Sequence, residues 1–278
     1  MTYEPVPPTV RVAPERIAPD THLIHQVQPA AGTPFSVYIN SLVITGAEPV
    51  VVDTGTVANR SQWMDDVFCL VEPEDVRWIY LSHDDHDHTG NLVEALTLAT
   101  NATLVASWAI VERISNAIEL PLDRMQWVND GDTFATADRT FKVVRPPIFD
   151  SPATRGLFDP TTGVYWAVDA LPALMADGPV STVAELDPNF WRETSVMGSH
   201  HLVSPWLSLV DPERYSDVVD RVQVLGIDVI ASAHSPIVTR ESMVDAFDLM
   251  RAMPTITPPT APDQSVLDAL RGALAVEN

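Results

Sequence analysis

The chain has 278 residues, with 38 Asp and Glu against 16 Lys and Arg, which gives a net charge of −22. A field of that sign repels phosphates and anionic lipid surfaces, so we expect neither a nucleic acid nor a membrane as a partner. A single cysteine excludes an internal disulfide and a thiolate-rich metal site. The N-terminus lacks the regions of a signal peptide and no apolar run is long enough to cross a membrane, so we expect a cytoplasmic protein.

The chain order predicts one domain with an extension at each end. Residues 1–20 carry five prolines, which is typical of an extended arm rather than a helix. Residues 21–253 form the predicted domain, and residues 254–278 form a proline linker followed by a helix over 263–276. That helix is amphipathic and detached, so it must cover either its own core or a neighbouring subunit. We therefore expect a homo- or hetero-oligomer.

Strand and helix patterns alternate through the predicted domain. Short β-branched runs follow Phe35, and they are separated by turn residues. Apolar residues then recur at helical or strand spacing, which predicts helices over 89–99, 108–120, 212–226 and 240–253, and strands over 76–82, 102–107 and 227–236. This alternation indicates an α/β protein.

Six ionisable residues stand in a row at 83–88, with the sequence HDDHDH. They follow a predicted strand that ends at Ser82 and precede a predicted helix, and ligand sites of α/β proteins favour that end of a strand. One aspartate at such a place is an ordinary turn or cap residue. Six ionisable groups in succession are not explained in that way, because so much negative charge before a helix requires a cation. Histidine and carboxylate without thiolate are suited to zinc, iron or manganese.

Other metal-competent residues also follow predicted strands. They are Asp53 in VVVDTG, Asp150 in RPPIFDSP, Asp169 in VYWAVDAL and His234 in VIASAHSP. Packing does not require an acid or a histidine after each of four strands. The sequence therefore predicts that these residues meet the 83–88 turn in one metal site.

At these residues the chain resembles the metallo-β-lactamase superfamily, whose turn reads His-x-His-x-Asp-His. The pattern here is His83-x-Asp85-x-Asp87-His88, and it is similar to the His-x-Glu-x-Asp-His turn of the oxygen-binding di-iron branch, the flavodiiron proteins. Asp150 falls where that branch has a histidine, and ASAHSPIV matches its last histidine loop. The resemblance covers about residues 22–250. It implies an αββα sandwich of two mixed β-sheets flanked by helices.

The resemblance also implies a set of ligands for two metal ions. One ion would take His83, Asp85 and Asp150, the other would take Asp87, His88 and His234, and Asp169 would bridge them. Asp53 would support the turn by hydrogen bonds. The four carboxylates carry a charge of −4 beside three neutral histidines, which matches two divalent ions. The many oxygen ligands favour iron first, with manganese or zinc as alternatives.

Two further histidines, His200 and His201 in MGSHHLVSPW, are candidates for substrate contact or proton transfer. In the fold that the chain resembles, the segment that carries these two histidines can border the pocket. Together with Asp87 and Asp169 they complete the predicted catalytic residues. Two adjacent side chains of a helix cannot both face one site, so we expect at most one of the pair to act.

Three functions fit such a site. The first is a dinuclear metal-dependent hydrolase, in which a metal-bridging hydroxide attacks an ester, ether, lactone or amide of a small molecule. The second is a di-iron protein that binds, senses or reduces dioxygen or nitric oxide with a separate electron donor. Flavodiiron enzymes carry a flavodoxin module that these residues leave no room for, so we expect no FMN in this chain and prefer the hydrolase. The third is a metal-bearing subunit of a hetero-oligomer.

Overall fold

The computed structural model describes residues 10–30 and 33–276. Residues 1–9 of the predicted arm lie outside the described residues. The thirteen β-strands of the described part are β1 Glu15–Ala18, β2 Thr21–Pro29, β3 Ser36–Ile44, β4 Val50–Val52, β5 Trp78–Tyr80, β6 Thr103–Ala106, β7 Met125–Trp127, β8 Thr133–Ala135, β9 Thr140–Val144, β10 Gly156–Asp159, β11 Val164–Trp166, β12 Val229–Ser232 and β13 Ser235–Thr239.

Eight α-helices alternate with these strands in the described part of the chain. They are α1 Arg60–Phe68, α2 His86–Thr89, α3 Leu92–Leu98, α4 Trp108–Ile114, α5 Pro188–Gly198, α6 Pro212–Gln223, α7 Met243–Ala252 and α8 Gln264–Val276. A π-helical turn, Ser199–Val203, continues α5. None of the described helices is both long and apolar enough to cross a membrane.

The strands form two mixed sheets, as predicted. The first sheet has the order β1-β2-β3-β4-β5-β6-β7 and the second has the order β13-β12-β11-β10-β9-β8. In the first sheet β4, β5, β6 and β7 run parallel, and in the second β11 and β12 run parallel. The remaining neighbours are antiparallel.

Three apolar cores explain the layered arrangement. Successive strand residues point to opposite faces of a sheet, so Ile79 of β5 packs in the core below α1, α3 and α4, whereas Tyr80 packs between the two sheets. In β11, Tyr165 packs towards α5, α6 and α7, and Trp166 packs between the sheets. The layers therefore follow the order helices, sheet, sheet, helices, which is the αββα sandwich predicted from the sequence.

The two ends of the chain differ in how they join this sandwich. Glu15–Ala18, at the end of the predicted N-terminal arm, pairs with β2 and forms the edge of the first sheet. This strand was not predicted, because its short sequence ERIA has no alternating apolar pattern. At the other end, the described side chains of α8 are exposed or half-buried. The division of the chain at residues 21 and 254 stays a prediction.

Because the described part of α8 contributes few buried side chains, removing residues 263–278 should change the free energy of unfolding by less than about 1 kcal/mol. Urea unfolding followed by circular dichroism measures this change. A deletion that begins at Met253, whose side chain is fully buried, is the matched control and should destabilise the domain strongly. A loss of several kcal/mol in the shorter deletion would contradict the expectation.

Candidate metal centre

Asp53 links the two sheets beneath the site. It follows β4 with a left-handed backbone, φ 59°, and its side chain is completely buried. Its carboxylate accepts hydrogen bonds from the Ser82 amide at 2.7 Å, from His88 Nδ1 at 2.9 Å and from Trp166 Nε1 at 2.9 Å. The Ser82 hydroxyl donates to it as well. Asp53 therefore holds the start of the 83–88 turn against a tryptophan of the opposite sheet.

A first triad of ligand groups lies beside this link and consists of His83, Asp85 and Asp150. Each offers one atom, and the three atoms lie within 4.8 Å of one another. His83 Nε2 is 3.2 Å from Asp150 Oδ2 and 3.4 Å from Asp85 Oδ2. The His83 side chain is buried, whereas the side chain of Asp85 is 56% exposed. The triad is thus open to solvent on its carboxylate side.

A second triad consists of Asp87, His88 and His234, and its ligand atoms also lie within 4.8 Å of one another. His234 Nε2 is 3.1 Å from Asp87 Oδ2. The Nδ1 atoms of both imidazoles are occupied, since His88 donates to Asp53 and His234 donates to the Tyr38 carbonyl at 3.0 Å. Such outer partners fix the ring orientation, so both Nε2 atoms are directed at the site.

Asp169 lies between the two triads. Its Oδ1 is 3.0 Å from His88 Nε2 and 3.1 Å from His234 Nε2, and its Oδ2 is 4.0 Å from His83 Nε2. Val168, directly before it, has φ 56°, an unusual conformation for a β-branched residue that costs about 1–3 kcal/mol. The backbone is thus strained where it presents the carboxylate that contacts both triads.

Two buried atoms of this site have no aligned hydrogen-bond partner in the described part of the protein. They are His83 Nε2 and Asp169 Oδ2. Buried polar atoms normally have partners, and a missing partner often marks an unoccupied ion or water position. Both atoms are metal-ligand types, and they lie 4.0 Å from each other. The residues present therefore fit two metal ions.

Without a metal ion, the negative charge of the carboxylates in the site is balanced by protonated histidines. Burial lowers the pKa of His83, but its contacts with Asp150 and Asp85 outweigh burial and raise that pKa to about 10. For His234, burial is likewise outweighed by Asp169 and Asp87, and its pKa is also about 10. Burial raises the pKa of Asp169, but the imidazoles of His88 and His234 outweigh burial and hold that pKa well below its usual range.

These pKa values predict that metal binding releases protons. An imidazole must be neutral to bind a metal, and a histidine with a pKa of about 10 is protonated near neutral pH. The affinity for Mn²⁺ should therefore rise with pH. Calorimetric titrations in buffers of different ionisation enthalpy measure the released protons. The exposed His86 provides the control His86→Ala, which should release as many protons as the wild type. Equal binding enthalpies in all buffers would contradict the prediction.

A cavity of about 270 Å³ opens onto the site. Asp85, Asp87, His88, Asp150, Asp169 and His234 line its polar end, and the rest of its wall is mainly apolar. Leu174 from the segment after β11, Met197 from α5, and Leu202 and Val203 from the π-helical turn belong to that apolar wall. The cavity therefore admits a small molecule to the carboxylates and imidazoles.

His200 and His201, the candidates for substrate contact or proton transfer, are not among the residues that line this cavity. His200 Nε2 is 3.1 Å from the Met253 carbonyl and His201 Nε2 is 2.6 Å from the Pro259 carbonyl. The segment does border the cavity, but it does so through Leu202 and Val203. The π-helical turn shifts the side-chain register, which a helical pattern in the sequence does not reveal.

Sequence reasoning missed several residues that hold the site. Trp166 donates to Asp53, and the buried Thr154 contacts both His83 and Asp150. The Tyr38 carbonyl, from β3, orients His234. Thr154 and Trp166 resemble ordinary core residues in the sequence, and a backbone carbonyl has no sequence signal at all.

Two mixed sheets flanked by helices, with histidines and aspartates gathered at the strand ends, define a protein of the metallo-β-lactamase fold. Residues 37–235 match the family described as ODP family beta lactamase. The match covers more than half of the chain, and the chain therefore belongs to that family. The resemblance identified from the 83–88 turn is confirmed.

Several known proteins with similar sequences or structures are named as flavin or flavodiiron proteins. Diflavin flavoprotein A 1 of Synechocystis sp. is 26% identical over 131 residues, which are 47% of this chain and 23% of that protein. Rubredoxin oxygen:oxidoreductase of Desulfovibrio gigas superposes with a TM-score of 0.75 at 12% identity, over 88% of this chain and 62% of that one. The flavodiiron protein of Giardia intestinalis gives a TM-score of 0.72 at 17% identity, over 88% and 60%.

The chain thus spans less than two thirds of each of these proteins. Their names describe flavoproteins and an oxygen:oxidoreductase, which overturns the hydrolase predicted from the sequence. The prediction was wrong because a pair of metals suits hydrolysis and redox chemistry alike, and the ligand pattern alone does not separate them.

Asp53→Ala should lower the free energy of unfolding of the metal-free protein by roughly 3–5 kcal/mol, because buried donors of Ser82, His88 and Trp166 lose their common acceptor. Urea unfolding measures the loss. Asp65→Ala, on the exposed face of α1, is the matched control and should stay within about 0.5 kcal/mol of the wild type. Equal stability of the two variants would show that the Asp53 link contributes little.

Proposed function

We propose that this protein is an oxidoreductase that binds two iron ions and uses them to reduce dioxygen or nitric oxide. The observation that carries the proposal is the pair of ligand triads with Asp169 between them, in a chain of a family whose structural neighbours include an oxygen:oxidoreductase and a flavodiiron protein. The cavity at the site is large enough to admit a diatomic substrate.

In this proposal one iron is held by His83, Asp85 and Asp150, and the other by Asp87, His88 and His234. Asp169, which lies near histidines of both triads, would contribute its carboxylate to both ions. Carboxylate oxygens outnumber imidazole nitrogens in this set, and that favours iron or manganese over zinc. The four aspartates also supply the charge that two divalent cations neutralise.

Iron ions held by these residues would supply the redox chemistry that reduction of a diatomic oxidant needs. The residues of the chain set the conditions for that reaction. Leu174, Met197 and Val203 give the site an apolar wall on one side. The half-exposed carboxylates of Asp85 and Asp150 face solvent at the other side, where protons enter.

The electrons come from a separate donor in this proposal. Aspartate and histidine side chains are not redox carriers, and reduction of dioxygen requires repeated electron delivery. The names of the matched relatives include flavin proteins, which supports a flavin- or iron-containing protein as the donor. Repeated turnover should therefore require an added electron-transfer protein.

Protein loaded anaerobically with Fe²⁺ and desalted should retain two iron ions per chain and consume dioxygen or nitric oxide on mixing. Metal analysis and an oxygen or nitric oxide electrode measure both quantities. Asp169→Ala should bring the iron content below one ion per chain and abolish the gas uptake, because both metals lose a ligand.

His86→Ala is the matched control for this experiment, since His86 belongs to the same turn but is exposed and outside both triads. It should retain both iron ions and the uptake. Full iron content in Asp169→Ala would contradict the bridging role. A wild-type protein that holds two iron ions but reacts with neither gas would contradict the proposed reaction.

A further inference from the structure

Thr154 connects two members of the first triad. It lies between β9 and β10, and its side chain is completely buried. Its Oγ1 is 3.3 Å from His83 Nδ1 and 3.2 Å from Asp150 Oδ1. A single hydroxyl group thus touches a buried histidine and a carboxylate that both contribute ligand atoms to the same triad.

The directions of these two hydrogen bonds follow from the chemistry of the groups. A hydroxyl has one hydrogen to donate, and an ionised carboxylate only accepts. Thr154 therefore donates to Asp150 and accepts from His83, whose Nδ1 must carry a hydrogen. A neutral His83 in this arrangement has its lone pair on Nε2. The same hydroxyl donates to Oδ1 of Asp150. The other oxygen of that carboxylate, Oδ2, stays available as a metal ligand and lies 3.2 Å from His83 Nε2.

A hydrogen-bonding partner that holds the ligand side chains in place is needed more in the first triad than in the second. In the second triad, Asp53 and the Tyr38 carbonyl each fix an imidazole. In the first triad the Asp150 side chain is 22% exposed, so without a partner it is free to change rotamer. Asp84 Oδ1 also lies 3.5 Å from His83 Nδ1, but Asp84 is engaged by Arg113 and by the Ser151 hydroxyl.

We infer that Thr154 is a positioning residue for the metal at His83, Asp85 and Asp150: its hydroxyl fixes the tautomer of His83 and the free oxygen of Asp150. The inference rests on the proposed two-metal site. It assigns Thr154 no contact with the metal or the substrate. It implies that loss of the hydroxyl weakens one metal position and spares the other.

Titration of the metal-free full chain with Co²⁺, followed by visible absorption, tests this inference. Thr154→Val removes the hydroxyl at nearly constant volume, and it should weaken one of two Co²⁺ sites roughly 10–100-fold, the range typical of outer-shell substitutions. Thr154→Ser retains the hydroxyl and should restore the wild-type affinity. Thr21→Val is the matched control, because Thr21 is equally buried and its hydroxyl donates to the Pro19 carbonyl, with no further partner among the residues that the structure describes. It should leave both sites unchanged.

The outcomes separate this inference from the proposed function. If the wild type binds two Co²⁺ ions and Thr154→Val binds both as tightly, the positioning role is overturned and the two-metal site stands. Equal weakening of both sites without rescue by Thr154→Ser shows a merely structural role and also overturns it. A wild type that binds fewer than two ions overturns the proposed function itself. If Thr154→Val does not fold, Thr154→Ala provides the same comparison.

Discussion

Oppositely charged groups from the ends of strands in both sheets meet at hydrogen-bond distance, and the rest of the structure depends on that convergence. Asp169 from the second sheet lies 3.0 Å from His88 of the first. Carboxylates so placed cannot be buried unless imidazolium or metal cations compensate them. The raised pKa values of His83 and His234 show that protonated imidazoles can supply the compensating positive charge. Divalent metal ions can supply the same compensation, with two positive charges each.

The sandwich architecture makes this convergence possible. Parallel strands β4, β5 and β6 end at the same edge of the first sheet, and β11 and β12 end at the facing edge of the second. Asp53 ties the two edges together through Ser82 and Trp166. The left-handed backbones of Asp53 and Val168 are local costs that the surrounding core offsets.

Strand-end acids and histidines have a strong pattern, and that pattern was sufficient to predict the residues that gather around the 83–88 turn. The sandwich was predicted from the family resemblance that the same residues carry. Functions of neighbouring side chains were harder to predict. The sequence positions of His200 and His201 suggested that they border a pocket. In the structure they lie on the π-helical turn and contact backbone carbonyls instead. Helices α1 and α5 had no prediction, since polar residues interrupt their apolar pattern. Thr154 could not be found either, since its contacts join positions that are 71 residues apart.

The central claim is that each of the two triads binds one cation. Anomalous diffraction at the iron edge, from crystals of the iron-loaded protein, tests it most directly. The account predicts two iron peaks, one bounded by His83, Asp85 and Asp150, the other by Asp87, His88 and His234, with Asp169 reaching both. A single peak, or peaks away from Asp169, would contradict it.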